Sequence, residues 1–193
     1  MTTELEAVNE ILTQAGHSEI LTTEELTTVQ EAKDALRILK RVSREEQSKS
    51  YYFNTEDDVE VTLDVSGEYV VPTEILRIDP TDYTKNYVMR GGKLYDLTTQ
   101  STSLGSASAS LKVNLVREVP YEDLPETARN YFLKRAIRTF LSRYHGEREL
   151  MELSRQDEIE AKVAFEADNF ESSDFNMLDN PDNGDIYYGR FYE

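Results

Sequence analysis

Apolar residues recur with a helical period at both ends of the chain and alternate with polar residues in between. The first helical stripe ends before Gly16, a residue that tolerates the left-handed backbone at a helix end. A second helix is predicted from about Glu25 to Ser48, with Thr22 or Thr23 as its cap. The two stripes consist of Leu5, Val8, Ile11, Leu12 and Ala15, and of Ala35, Ile38, Leu39 and Val42.

A change of period at residue 51 predicts a β module that extends to residue 118. Extended stretches on either side of Pro72 predict two strands, and the pair Gly91–Gly92 predicts a two-residue hairpin turn. Cations flank this turn and its N–H groups suit an anion, but the alternating strands favour a plain hairpin. Residues 98–110 are rich in Ser and Thr without a period, which predicts a long mobile loop. The first and last strands place Val59, Val61, Leu63 and Val65, and Leu111, Val113 and Leu115, on their apolar faces.

A third and a fourth helix are predicted after Pro120. The third helix carries a broad apolar stripe that includes Leu124, Ala128, Phe132, Ala136, Phe140 and Tyr144. The fourth helix runs from about Glu147 to Phe170 and is acidic, and we expect its sparse apolar positions to contact the core. Those positions are Leu150, Leu153 and Val163 or Ala164.

Together these elements predict an α+β fold. Residues 1–50 and 119–170 would form an α-helical bundle of about four helices, and residues 51–118 would form an inserted antiparallel β module. Residues 171–193 lack a clear period and are predicted to be an irregular C-terminal docking tail. We see no internal repeat in the chain.

Charge and composition exclude some classes of function. The net charge of −17 disfavours tight binding of nucleic acid or anionic lipid as a primary role. The negative charge is concentrated in residues 147–193, which contain 14 acidic and 4 basic residues. The chain lacks cysteine, a secretory leader pattern and a long apolar run, so we expect a soluble protein made in the cytosol, with no membrane.

Candidate catalytic groups are sparse. His17 and His145 are isolated, and neither has the spacing of a metal site or of a base beside a nucleophile. Glu158, Lys162 and Glu166 are simply explained as the solvated face of an acidic helix, although carboxylate pairs also support acid–base chemistry. We therefore expect no enzyme activity, cofactor or metal.

A basic strip lies on the second predicted helix, opposite its apolar stripe. It is either a solvated face or a surface for an acidic partner, and the acidic end of a neighbouring copy would be such a partner in a head-to-tail ring. The strip comprises Lys33, Arg37, Lys40, Arg41 and Arg44, of which Arg37, Arg41 and Arg44 are the predicted partner-binding residues.

The C-terminal stretch DNPDNGDIYYGRFYE superficially matches a calcium-binding EF-hand loop, with Gly184 at the invariant glycine. Pro181 then occupies a ligand position and Arg190 stands where a bidentate glutamate should close the site, so the match fails. The apolar and aromatic side chains here either cover the chain's own core or anchor it to a partner. The candidates for partner binding are Phe175, Met177, Leu178, Ile186, Tyr187, Tyr188, Phe191 and Tyr192.

Four segments, in order, resemble tail tubular protein A, the head-to-tail adaptor family of short-tailed, podovirus-type bacteriophages. They are AVNEILTQAG at 7–16, ALRILKRVSREEQSKSYYFN at 35–54, VMRGGKLYDLTTQS at 88–101 and FNMLDN at 175–180. The resemblance implies a structural protein of the virion tail that forms a dodecameric ring and is assembled in the host cytoplasm. Its implied partners are the portal protein, the tail nozzle (tail tubular protein B) and the tail fibre, while DNA passes through the channel without specific binding.

Two other functions remain open on the residues alone. One is a tail-associated hydrolase that degrades surface polysaccharide with a carboxylate pair. The other is a compact acidic mimic of nucleic acid that blocks a host DNA-binding protein.

Overall fold

The structure, a computed structural model, describes residues 2–144 and 148–172. The described residues form five α-helices, a 3₁₀ turn and five strands, which confirms the α+β class. Helices α1, α2 and α3 span Glu4–Gln14, Glu25–Thr28 and Gln30–Gln47. Strands β1 to β5 span Thr55–Thr62, Ile75–Pro80, Tyr87–Arg90, Lys93–Asp96 and Ser110–Arg117. The 3₁₀ turn Tyr121–Asp123 precedes α4 at Glu126–Tyr144 and α5 at Arg148–Ser172.

Local capping explains where the first helices begin. Thr3 and Glu6 form a capping box, in which each side chain accepts a hydrogen bond from the other residue's backbone N–H. The prediction of one unbroken second helix is wrong, because Val29 is extended and separates α2 from α3. The predicted threonine cap is also absent there, and the Glu25 carboxylate instead accepts from the N–H groups of Leu21 and Thr22 at 2.6 and 3.1 Å.

Helix α4 is the centre of the helical part, since α1, α3 and α5 all pack on it. Phe165 of α5 is fully buried and stacks on Tyr131, with 5.6 Å between ring centroids. Tyr51 and Phe53, from the turn after α3, join the same aromatic cluster. The predicted stripe of α4 is buried at Leu124, Ala128, Phe132, Ala136 and Phe140, but Tyr144 is 44% exposed at the helix end.

The main sheet has the antiparallel order β1–β5–β2, so the last strand lies in the middle. A register shift in β1 accompanies a positive φ of 54° at Asp58. Two expectations for this region are wrong: Val65 lies outside the strand and is 88% exposed, and only an isolated bridge at Val70 precedes Pro72. A strand needs a paired neighbour as well as an alternating sequence.

The predicted glycine hairpin is confirmed. Strands β3 and β4 are joined by Gly91 and Gly92, whose φ angles of 56° and 75° favour glycine. Its flanking cations are both engaged, since Arg90 lies 4.3 Å from the Tyr95 ring centroid and Lys93 forms an ion pair with Glu68.

The Ser/Thr-rich stretch from 98 to 110 is held at several points. Ser101 forms a bridge to Asp96, and the Leu104 N–H donates to the Gly67 carbonyl at 2.8 Å. Gly67 has a φ of 72° and its backbone lies so close to Gly105 that a Cβ atom would overlap the Gly105 carbonyl oxygen.

Buried apolar side chains form two clusters, one among the helices and one within the β region. Two buried amides connect the regions. Asn54 donates to the carbonyls of Gln47 and Arg117 at 2.8 and 3.1 Å, and it accepts from the Tyr51 N–H at 2.8 Å. Gln47 forms two hydrogen bonds with the backbone of Val119, at 2.7 and 3.0 Å. The predicted domain boundaries stay a prediction.

Candidate partner-binding surfaces

The basic strip occupies the exposed face of α3, because the opposite face packs its apolar residues against α1 and α4. Side-chain exposure is 69% for Arg37, 44% for Arg41 and 51% for Arg44. All three predicted partner-binding arginines are therefore accessible in the single chain.

Most of the positive charge on the strip is balanced within the chain. Asp34 remains ionised beside Arg37, because hydrogen bonds from the Tyr144 hydroxyl and the Gln30 amide lower its pKa. Exposed ion pairs of this kind contribute only about 0–1 kcal/mol each, so a partner's carboxylates can replace them at little cost. The pairs are Arg37–Asp34 (2.7 Å), Lys40–Glu4 (3.3 Å), Arg41–Glu45 (3.5 Å) and Arg44–Glu118.

A cleft of about 410 Å³ adjoins the strip where α3 meets the β region. Lys40 and Arg44 line one side, and Thr73, Glu74 and Glu118 line another. Charges of both signs share this cleft, which suits a protein segment better than a small anion.

Helix α5 is rotated relative to the sequence expectation. The predicted core contacts of α5 are wrong at three positions, because the side chains there are exposed: Leu153 (56%), Val163 (61%) and Ala164. Leu150 is partly buried against the helical cluster. The face that α5 turns toward α4 instead carries Ser154, Glu158, Ala161 and Phe165. Burial of Phe165 among four other aromatic rings and pairing of Glu158 with arginines decide this orientation.

A partly buried charge network links α3, α4 and α5. Arg135 of α4 lies 3.0 Å from a Glu46 carboxylate oxygen and 3.7 Å from one of Glu158. Arg138 pairs with Glu158 as well, and the Tyr131 hydroxyl donates to Glu46 at 3.2 Å. Burial, with Glu46 nearby, raises the pKa of Tyr131 to about 12. The sequence signal for this network, a glutamate four residues after Val42 on the apolar face of α3, was missed.

These contacts give the candidate acid–base residues structural roles. Glu158 is engaged by two arginines, and Glu166 pairs with Lys162 at 3.3 Å on the surface. The ion pairs of Glu158 stabilise the interface between α4 and α5, whereas Glu166 lies on the surface of α5. The two carboxylates therefore do not share one site.

A family model for tail tubular proteins matches residues 5–175. The chain belongs to the tail tubular protein family. This tail tubular protein is therefore a structural component of the phage virion tail, and its family implies assembly with other tail components. The family is a structural one and is not known for enzymatic activity. No curated protein sequence matches the chain.

The remaining sequence predictions for this tail tubular protein concern a membrane span, metal ligands, the two histidines and the C-terminal residues. Among the described residues, no helix is long and apolar enough to cross a membrane, and no cluster of three potential metal ligands occurs. His17 follows α1 and meets the edge of the Phe140 ring at 6.2 Å between centroids. His145 and the calcium-like loop lie outside the described residues, as do the predicted partner-binding residues Phe175, Met177, Leu178, Ile186, Tyr187, Tyr188, Phe191 and Tyr192.

Proposed function

We propose that this tail tubular protein is the head-to-tail adaptor of a short-tailed phage. In this role, copies form a ring, expected to be dodecameric, that joins the portal to the tail nozzle. The ring supports attachment of the tail fibre and encloses the channel through which the genome is ejected. The observation that carries the proposal is the family match over residues 5–175, which includes three of the four segments that resemble the adaptor and reaches the first residue of the fourth.

The charge of the chain is compatible with a DNA conduit. A protein with a net charge of −17 does not release counterions from DNA as a basic surface does, so it holds the passing phosphates weakly. Passage of DNA without specific binding follows from this weak attraction.

We test the adaptor role by the mass of the assembled species. Native mass spectrometry of the purified chain, alone and with portal protein from the same phage, should give a large ring in at least one condition. The acidic-mimic alternative predicts a compact monomer in both. A persistent monomer that does not bind portal would overturn the adaptor assignment.

The basic strip is proposed to contact a partner through Arg37, Arg41 and Arg44. Replacing Arg37→Glu together with Arg41→Glu reverses two exposed charges and should lower the assembled mass at physiological salt. Lys85→Glu with Lys112→Glu is the matched control, because it changes the net charge equally at exposed positions of the β region. Equal assembly of both double variants would remove the strip from the interface.

The C-terminal aromatic residues are proposed to dock on a tail partner or a neighbouring copy. Deleting residues 179–193 should weaken binding in a pull-down with portal or nozzle protein, while the helical circular dichroism of the chain stays unchanged. Unchanged binding would indicate that the segment serves the chain itself.

A further inference from the structure

Helix α5 is amphipathic in an unusual sense, because it has an apolar stripe on the side turned away from the bundle. Ile159 and Val163 are 49% and 61% exposed, and Ala167 is exposed one turn later. At 3.6 residues per turn these three positions fall within about 80° of arc. We call them the outward stripe.

Unpaired acidic residues border one side of the outward stripe. Within the described part of the chain they form no salt bridge, whereas Lys162 and Glu166 on the other side pair with each other at 3.3 Å. The acidic border consists of Glu149, Asp157, Glu160 and Glu171. An apolar stripe with a single-signed border is typical of a surface that meets a basic partner.

The basic strip on α3 has the properties of that partner. Its side chains are exposed, and their long aliphatic stems can cover apolar surface while the charged ends reach carboxylates. Helices α3 and α5 both pack on α4, and neither the basic strip nor the outward stripe belongs to the buried faces of these helices. The chain therefore carries two distinct and complementary exposed surfaces, as a head-to-tail contact requires.

We propose that the outward stripe of α5, with its acidic border, packs on the basic strip of α3 in a second copy of this chain. This inference rests on the proposed ring, and it specifies the two surfaces that form the lateral contact. Each such contact buries Ile159 and Val163 under the stems of Arg37 and Lys40. It also replaces weak internal ion pairs of α3 with pairs between copies.

The absence of cysteine from the chain allows a direct test by disulfide cross-linking. The probe is the full-length double variant Arg37→Cys/Val163→Cys, oxidised in the assembled state, with portal protein present if assembly needs it. A disulfide requires Cα atoms about 4.4–6.8 Å apart. We expect a ladder of cross-linked copies on a non-reducing gel, up to the size of the ring, that collapses on reduction.

Controls separate this contact from other arrangements. Arg37→Cys and Val163→Cys alone should each run as an uncross-linked single chain on the same non-reducing gel, and a mixture of these two single variants should give only cross-linked dimers. Arg37→Cys/Lys162→Cys is the matched control, because Lys162 is 48% exposed, adjacent in sequence and directed about 100° away. An equally strong ladder from this control would overturn the proposal, as would dimers of Val163→Cys alone or a disulfide confined to one copy.

A charge exchange provides a second measurement. Glu160→Lys/Glu171→Lys should weaken assembly about tenfold, and adding Arg37→Glu/Arg41→Glu should recover most of the loss. Rings that form normally without a ladder and without this rescue would overturn the proposed contact and leave the adaptor role standing. If wild-type chain forms no ring with or without portal, the adaptor role fails and the lateral contact fails with it.

Discussion

The amide of Asn54 fixes the junction between the helices and the β region, and its removal should destabilise the whole chain. Asn54 is 2% exposed and its side chain makes three hydrogen bonds to backbone groups of Gln47, Tyr51 and Arg117. Asn54→Ala leaves those groups without their partner at a buried site. At about 1 kcal/mol net for each bond, the expected loss in the free energy of unfolding is about 3 kcal/mol.

The loss is measurable by urea unfolding and by heat. For a chain of this size, about 3 kcal/mol corresponds to a decrease in Tm of roughly 6–12 °C. Asn86→Ala is the matched control, since Asn86 is exposed and the same substitution should change stability by less than about 0.5 kcal/mol. A loss below about 1 kcal/mol for Asn54→Ala would refute the assigned role of the amide.

Three further predictions concern the network, a close backbone contact and alkaline pH. Arg135→Met removes a cation from the buried Glu46 carboxylate and should lower the free energy of unfolding in urea by about 2–4 kcal/mol. Adding Glu46→Gln to the same chain should recover part of this loss, whereas strictly additive effects of the two substitutions would argue against coupling between Arg135 and Glu46. Gly67→Ala should cost about 1–3 kcal/mol, because a Cβ atom there meets the Gly105 carbonyl and φ is 72°; an unchanged Tm would contradict this. The pKa of Tyr131 is about 12 in the folded chain and roughly 10 in the unfolded chain. The unfolded chain therefore loses this proton first, and the free energy of unfolding falls as pH rises from about 10 to 12. Unfolding followed by circular dichroism should show a shallower fall in Tyr131→Phe.

Much of the architecture follows from local sequence. The extent of α1 follows from its apolar period and capping box, the buried stripe of α4 follows from its apolar period, and the hairpin follows from Gly91–Gly92. These signals act over a few residues, so they are legible without knowledge of the fold. The same holds for the exposed face of α3, because a strong apolar stripe leaves one side to solvent.

Only the tertiary structure decided which surfaces are available to partners. The sparse apolar positions of α5 do not specify a buried face, and Phe165 with Glu158 determined its rotation through contacts to α4. Val163, which the sequence places in the core, is consequently exposed. The charge on the basic strip likewise depends on Glu118, which lies far from Arg44 in the sequence.

The sequence by itself therefore determined the fold class, the placement of a β region between helical regions, the charge asymmetry and the family resemblance of this tail tubular protein. The structure determined the Asn54 junction, the Glu46–Arg135 network and the outward stripe of α5. The physical reason is range: periodicity and capping are properties of neighbouring residues. Burial of a polar group or exposure of an apolar one depends on partners that folding brings together from distant parts of the chain.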